Sequence, residues 1–347
     1  MSTVLEEIIN YPHLGVADYT AKDFKPENDV RWCSGCGGYS ILAQVQKIMP
    51  TLGIPKEKFA FISGIGCSSR FPYYMDVYGV HAIHGRAVAI ASGLKVARPD
   101  LSVWIATGDG DCMSIGGNHF IHACRRNIDF NILMFNNEVY GLTKGQFSPT
   151  SQVGQVTRSS PLGVLDNPFN PTSLALGSGA SFVARAVDSD TNALRILFER
   201  AARHKGTAFV EIYTNCVIFN DGAFDSFRGK ETRKDKTVFL EHGKPLVFGE
   251  NNDKGIRLDG FKPKAVSLSD GYSVDDLLIH NEQDSTLAFI LSNMTADPEL
   301  PRPLGIFRAV EVPSYEARMT DLIQREKEKK GSDLNKLLQG KDSWVIS

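Results

Sequence analysis

The feature that most constrains this chain is a repeated pairing of a short apolar run with an abrupt glycine-rich or polar end. "KFAFISGIGC" (58–67), "LSVWIATGDG" (101–110), "FNILMFNN" (130–137) and "TAFVEIYTNC" (207–216) each read as a buried strand that stops suddenly. Helix-like segments alternate with them: "YSILAQVQKIM", "HGRAVAIASGLKVARP" closed by proline, "GGNHFIHACRRN", and the amphipathic "TNALRILFERAARHKG" (191–206) with its glycine stop. Strands alternating with helices argue for an α/β fold, a mostly parallel sheet with helices on both faces. In such sheets ligands bind beyond the carboxyl ends of the strands. The unusual residues gather at those ends: "GIGC", "IHGR" after the short run "VHAI" (80–83), "TGDGD", "FNNEVYG" and "TNC".

Composition narrows the partners. The 347 residues carry 38 Lys and Arg against 40 Asp and Glu, with the two signs interspersed, so no basic field marks nucleic-acid binding. Apolar runs such as "ILMF" are too short to span a bilayer, and "MSTVLEEIIN" lacks a positive, then apolar, leader pattern. The expectation is a cytoplasmic protein with small-molecule or protein partners. No internal repeat or low-complexity tract interrupts the chain.

Six cysteines are too few for a disulfide scaffold, and the pair in "RWCSGCGG" points to metal or redox chemistry. Neither a second CxxC at zinc-ribbon spacing nor a ferredoxin-type run follows it. Cys112 and Cys124 lie in or beside an apolar helical stretch, where free cysteine acts as a small hydrophobe. Cys67 and Cys216 fall at strand ends on the same rim. With Cys33 and Cys36 just before a helix, four thiolates can converge, the ligand count of a tetrahedral zinc or of an iron–sulfur cluster. The alternative for Cys67 is a packing residue.

The second constellation runs from Gly108 to Asn137: a GDG separated by 25 residues from an NN, with one helix and one strand between. Asp109 and Asn137 thereby stand at the tips of neighbouring strands, and hard oxygen donors with room left for phosphate and water suit Mg2+. The glycines allow close backbone approach, and a helix starting near Ser114 to Gly117 can aim N–H groups at a diphosphate.

This segment resembles the thiamine-diphosphate motif. Together with "WCSGCG", "GIGCSSRFPYY", "GVHAIHGRA" and "NNEVYGLTKGQFSPTS", the chain from about 30 to 230 resembles the β subunit of 2-oxoacid:ferredoxin oxidoreductases, most of all the 2-oxoglutarate branch. The later "LPRPLGIFRAVEVPSYE" resembles the tail of these subunits. The resemblance implies a thiamine-diphosphate-binding fold with three parts: an N-terminal segment 1–30, a thiamine diphosphate and 4Fe–4S domain 31–230, and a C-terminal extension 231–347 contacting a partner. It implies Cys33, Cys36, Cys67 and Cys216 as ligands of one 4Fe–4S cluster, although Ser34 stands where the family commonly has proline. It implies Asp109, Asn137 and the carbonyl of Val139 as Mg2+ ligands. Gly66, Ser68, His84, Gly108, Gly110, Asp111, Gly141 and Leu142 would line the cofactor. For His84 the competing reading is a satisfied core histidine, and His81 receives no role.

The activity implied is thiamine-assisted decarboxylation of a 2-oxoacid, passage of electrons through the cluster to ferredoxin, and acyl transfer to coenzyme A. The glutamate that activates the cofactor comes from the α subunit in this family, which implies an αβ unit, dimerised to (αβ)2. Arg70 and Lys144 follow strand-end loops and suit a distal carboxylate, with diphosphate contact or simple solvation as alternatives; Leu142 would shape the same pocket. 2-Oxoglutarate is the first choice of substrate and pyruvate the second. A non-redox thiamine-dependent decarboxylase needs no four thiolates, and a zinc-stabilised binding subunit would leave Asp109 and Asn137 idle. In the tail, "FRGKETRKDKTVFLEHGKPLVFGENNDKG" reads as hairpin or loop, and "ARMTDLIQREKEKKGSDLNKLLQGKD" as two charged helices.

Overall fold

The computed structural model describes residues 19–331 and 333–344, so the first part of the expected segment 1–30 lies outside the described residues. The four strands read from the sequence are β1 (Phe59–Ser63), β3 (Ser102–Gly108), β4 (Phe130–Asn136) and β6 (Thr207–Tyr213). They join β2 (Tyr78–His81), β5 (Phe182–Val187), β7 (Thr237–Leu240) and β11 (Arg302–Ala309) in one sheet of order β2-β1-β3-β4-β6-β5-β11-β7. The first six in that order are parallel, whereas β11 runs antiparallel to β5 and parallel to β7. A separate three-stranded sheet holds β8 (Val247–Phe248), β9 (Lys254–Asp259) and β10 (Lys262–Ser267).

Both faces of the main sheet are covered, and the strands are apolar throughout for that reason. Alternate residues serve two cores. Phe61, Trp104, Leu133 and Val210 pack with α1 (Gly38–Ile48) and α6 (Thr191–Arg203). Ile62, Ile105, Ile132 and Phe209 face α2 (Ala87–Ala97), α4 (Gly117–Arg126) and α9 (Ser285–Ser292). Trp104, Phe61 and Phe209 are fully buried, and burying each such side chain contributes on the order of 1.5–3 kcal/mol. Two short helices lie elsewhere in this region, α3 (Asp109–Met113) and α5 (Pro171–Gly177).

The segment after residue 230, expected as an appendage, is partly built into the sheet, because β7 and β11 complete one edge. Its first stretch also differs from the expected hairpin or loop. α8 (Lys230–Lys236) precedes β7 there, with α7 (Asp225–Arg228) just ahead of it, since a run dominated by Lys, Glu and Arg favours helix. The two charged helices are present as α10 (Tyr315–Lys330) and α11 (Leu334–Gln339). Among the described residues no helix is long and apolar enough to cross a membrane.

Candidate active site

β1 continues to the edge strand β2, whereas β3 leads through α4 to β4 on the opposite side. The loops after β1 and β3 therefore part company, the topological switch point at which open α/β sheets hold ligands. A cavity of about 810 Å³ opens there. It is lined by Cys33, Cys36, Cys67 and Cys216, by Gly66, Ser68, Arg70 and His84, by Gly108 to Asp111, and by Asn137, Val139, Gly141, Leu142 and Lys144. Every site residue named from the sequence thus faces one space.

The thiols arrive from three directions. Cys33 and Cys36 form a turn closed by Cys36 N–H on the Cys33 carbonyl at 3.0 Å, immediately before α1. Gly38 N–H points at Cys36 Sγ at 3.4 Å. Cys67 follows β1, and its carbonyl accepts from the Trp32 indole at 2.6 Å, which ties the first loop to the second. Cys216 follows β6. All four are free thiols. Burial pushes Cys36 and Cys67 up to about 11, and the other thiols of the group add to the shift. A metal reverses that balance, because it binds the thiolate.

Gly141 marks the space between the sulfurs. A Cβ there would lie 3.5 Å from both Cys67 Sγ and Cys216 Sγ, so the missing side chain leaves an open cradle. Lined by soft sulfur, it has the donor chemistry that fits an iron–sulfur cluster or a tetrahedral zinc.

Asp109 and Asn137 sit where β3 and β4, paired in parallel, end together. Asp109 is buried at 2% exposure. Burial pushes its carboxyl up despite hydrogen bonds from Ser148 and Thr150, and a cation bound there would oppose that shift. Glu138 adopts a left-handed φ of 54° between Asn137 and Val139; both neighbours line the cavity, which Glu138 does not. The donors are hard oxygens from two strand ends, and they fit Mg2+.

Asp111 works as a strut. Its Oδ1 accepts from Ile65 N–H, Gly85 N–H and His84 Nδ1 at 3.0, 2.7 and 3.0 Å, and its Oδ2 from Thr107 Oγ1 at 2.7 Å. One carboxylate therefore joins β3 to the loops after β1 and β2. Because it only accepts, His84 Nδ1 carries the hydrogen and Nε2 is the ring nitrogen left free. A Cβ on Gly64 would collide with the same carboxylate. Residues 114–117, expected from the sequence at a diphosphate, do not line the cavity, which touches Gly108 to Asp111 instead, since the chain turns into α3 at Asp109 and the longer α4 begins only at Gly117.

Lys144 lines the cavity in a left-handed conformation, φ 78°. Arg70 donates through Nη1 to the Arg31 carbonyl at 3.2 Å. Sequence reasoning missed Trp32, Phe135, Val217, Ile218 and Phe219, the apolar walls. It also missed Tyr140, whose hydroxyl donates to the Gly110 carbonyl at 3.0 Å, and the buried pair Arg185 and Glu211, 2.8 Å apart. The last had a signal: single charges inside the apolar runs "FVARAV" and "TAFVEIY".

Residues 64–212 match the family model described as thiamine pyrophosphate enzyme, C-terminal TPP binding domain. Fold and site thus define a protein of the thiamine-diphosphate enzyme class. The chain is 51% identical over 330 residues to 2-oxoglutarate oxidoreductase subunit KorB of Mycobacterium tuberculosis, covering 94% of this chain and 88% of that protein. It is 38% identical over 242 residues to 2-oxoglutarate synthase subunit KorB of Methanocaldococcus jannaschii, covering 68% and 89%. Among solved structures, the 2-oxoglutarate:ferredoxin oxidoreductase of Magnetococcus marinus, with 2-oxoglutarate, coenzyme A and succinyl-CoA bound, matches with a TM-score of 0.76 and 34% identity over 94% of this chain and 97% of that one. The chain belongs to the family of 2-oxoglutarate:ferredoxin oxidoreductase β subunits.

Proposed function

We propose that this chain is the cofactor- and cluster-carrying subunit of an enzyme converting 2-oxoglutarate and coenzyme A to succinyl-CoA and CO2, with two electrons passed to ferredoxin. When bound, thiamine diphosphate supplies the carbanion chemistry that releases CO2, and a 4Fe–4S cluster accepts electrons singly. Asp109, Asn137 and the Val139 carbonyl would hold Mg2+, and Cys33, Cys36, Cys67 and Cys216 the cluster. His84, oriented by Asp111, offers Nε2 as a hydrogen-bonding group to the cofactor or substrate. Lys144 and Arg70 supply cationic groups for the carboxylates of the 2-oxoacid, and Leu142 limits the pocket beside them. The apolar walls exclude water, which strengthens each of these charges. The partner is an α subunit, in an (αβ)2 assembly in the cytoplasm.

The observation that carries this reading is the opening of four free thiols and the Asp109–Asn137 pair into a single cavity. Purification with the partner subunit under anaerobic conditions, followed by iron, sulfide and zinc analysis, tests it. About four irons per chain and a visible band bleached only by 2-oxoglutarate with coenzyme A are expected. Zinc in place of iron, or a cluster that no 2-oxoacid reduces, overturns it, and bleaching by pyruvate alone reassigns the substrate.

A further inference from the structure

Beside the backbone N–H groups of Gly110 and of Asp109 itself, two side-chain hydroxyls grip the Asp109 carboxylate through one oxygen. Ser148 Oγ lies 2.5 Å and Thr150 Oγ1 2.6 Å from its Oδ2, and neither donates to Oδ1. Thr150 is itself braced. Its hydroxyl stands 3.0 Å from Asn136 Oδ1, and Asn136 Nδ2 donates to Glu211 Oε1 at 2.8 Å. The other oxygen of Glu211 receives Arg185 Nε at 2.8 Å and Thr172 Oγ1 at 2.6 Å, and Arg185 Nη2 is anchored on Asn170 Oδ1 at 3.1 Å. Ser148, Thr150, Asn136, Glu211, Arg185 and Thr172 are all buried.

The network has a fixed polarity. A carboxylate paired with arginine only accepts, so Asn136 must turn its NH2 to Glu211 and its carbonyl oxygen to Thr150. The single hydrogen of the Thr150 hydroxyl is then shared between two acceptors, with the shorter contact to Asp109 Oδ2 and the longer to Asn136 Oδ1. Stability alone does not explain the arrangement, because apolar residues of similar volume commonly replace a buried ion pair at no loss. Arg185 and Glu211 nonetheless face each other on β5 and β6, deep in the sheet; one chain of hydrogen bonds leads from them through Asn136 and Thr150 to Asp109, and another through Asn170 to Ser292 and Thr295.

We propose that Ser148 and Thr150, the latter braced through Asn136, Glu211 and Arg185, are positioning residues that hold Asp109 Oδ2 and so present Oδ1 alone to the cation. This rests on the reading of Asp109 as a Mg2+ ligand. Coordination through one oxygen suits the strict octahedron of Mg2+, whereas Ca2+ accepts carboxylates through one oxygen or both in a looser shell. The clamp is therefore a device for choosing Mg2+ over Ca2+.

The test uses the complex with its partner subunit, stripped of metal and cofactor, in wild type, Thr150→Val, Ser148→Ala and Thr150→Ser forms. Thiamine diphosphate binding is titrated by protein fluorescence with Mg2+ and, separately, with Ca2+, without turnover. Thr150→Val and Ser148→Ala should raise the half-saturating Mg2+ concentration about 10–100-fold and the Ca2+ concentration by less. Thr150→Ser should restore the wild-type preference. Equal shifts for both ions, or no shift in a variant that folds, overturn the proposal. The two substitutions act on separate hydroxyls, so failure of one variant to fold leaves the other to decide. Asp109→Asn is the control: unaltered Mg2+ dependence there sinks the metal reading itself, whereas loss of binding in Asp109→Asn with normal behaviour in the clamp variants sinks only the clamp.

Discussion

Replacing Arg185 with methionine removes the only basic partner that Glu211 has within ion-pair distance among the described residues. Both side chains are 1% exposed, so solvent does not screen the loss. In the wild type, burial pushes the Glu211 carboxyl up, but Arg185 and the hydrogen bonds from Thr172 and Asn136 outweigh it and leave it below the usual carboxylate range. Breaking such a pair costs about 3–5 kcal/mol, because a bare charge stays buried. Without Arg185, burial dominates and the folded-state pKa rises above the unfolded value. The penalty is then small below the ordinary glutamate pKa of ~4.3, where the group is neutral in both states, and grows as pH rises towards the elevated folded pKa. Thermal unfolding of the assembled complex should show Arg185→Met lowered by on the order of 5–15 °C at pH 8 and by clearly less at pH 5.5. Adding Glu211→Leu should recover part of the loss at pH 8, limited by the acceptor that Asn136 and Thr172 then lack, at about 1 kcal/mol each. An equal loss at both pH values, or a double variant no better than the single one, would refute the reasoning.

Other perturbations follow from the same geometry. Gly64→Ala drives a methyl into the Asp111 carboxylate and should destabilise by about 1–3 kcal/mol, with weaker thiamine diphosphate binding seen by calorimetry; unchanged binding counts against Asp111 as the strut between β3 and the loops after β1 and β2. Asp188 is fully buried and accepts from Asn215 N–H at 2.9 Å and from Arg228. Asp188→Leu should therefore loosen the loop carrying Cys216 and lower iron content, whereas normal iron with intact folding argues that the loop is held otherwise. Lys144→Met should raise KM for 2-oxoglutarate about tenfold or more, as expected for a lost charge-assisted contact, while a parallel rise in KM for pyruvate would assign Lys144 to the cofactor instead.

Much of this protein was legible from local pattern. Apolar runs with abrupt glycine or acid endings identify β1, β3, β4 and β6, because strands buried on both faces must be apolar throughout and ligand loops must be permissive. The same endings carry Cys67, Asp109, Asn137 and Cys216, so residue type and position at a strand tip sufficed to predict the rim. The tertiary structure alone decided the rest. The edge strand β7 comes from a region whose polar, turn-rich sequence has no strong period, and its pairing with β11 outweighs weak local preference there. The three-way grip of Asp111 joins residues 65, 84, 85 and 107, and the chain from Asp109 through Thr150 and Asn136 to Glu211 and Arg185 joins five separated segments. Sequence determined which chemical groups stand at the strand ends. Only the packed sheet decided which hydrogen bonds aim them, because a hydrogen bond depends on distance and direction across space and leaves no period in the chain.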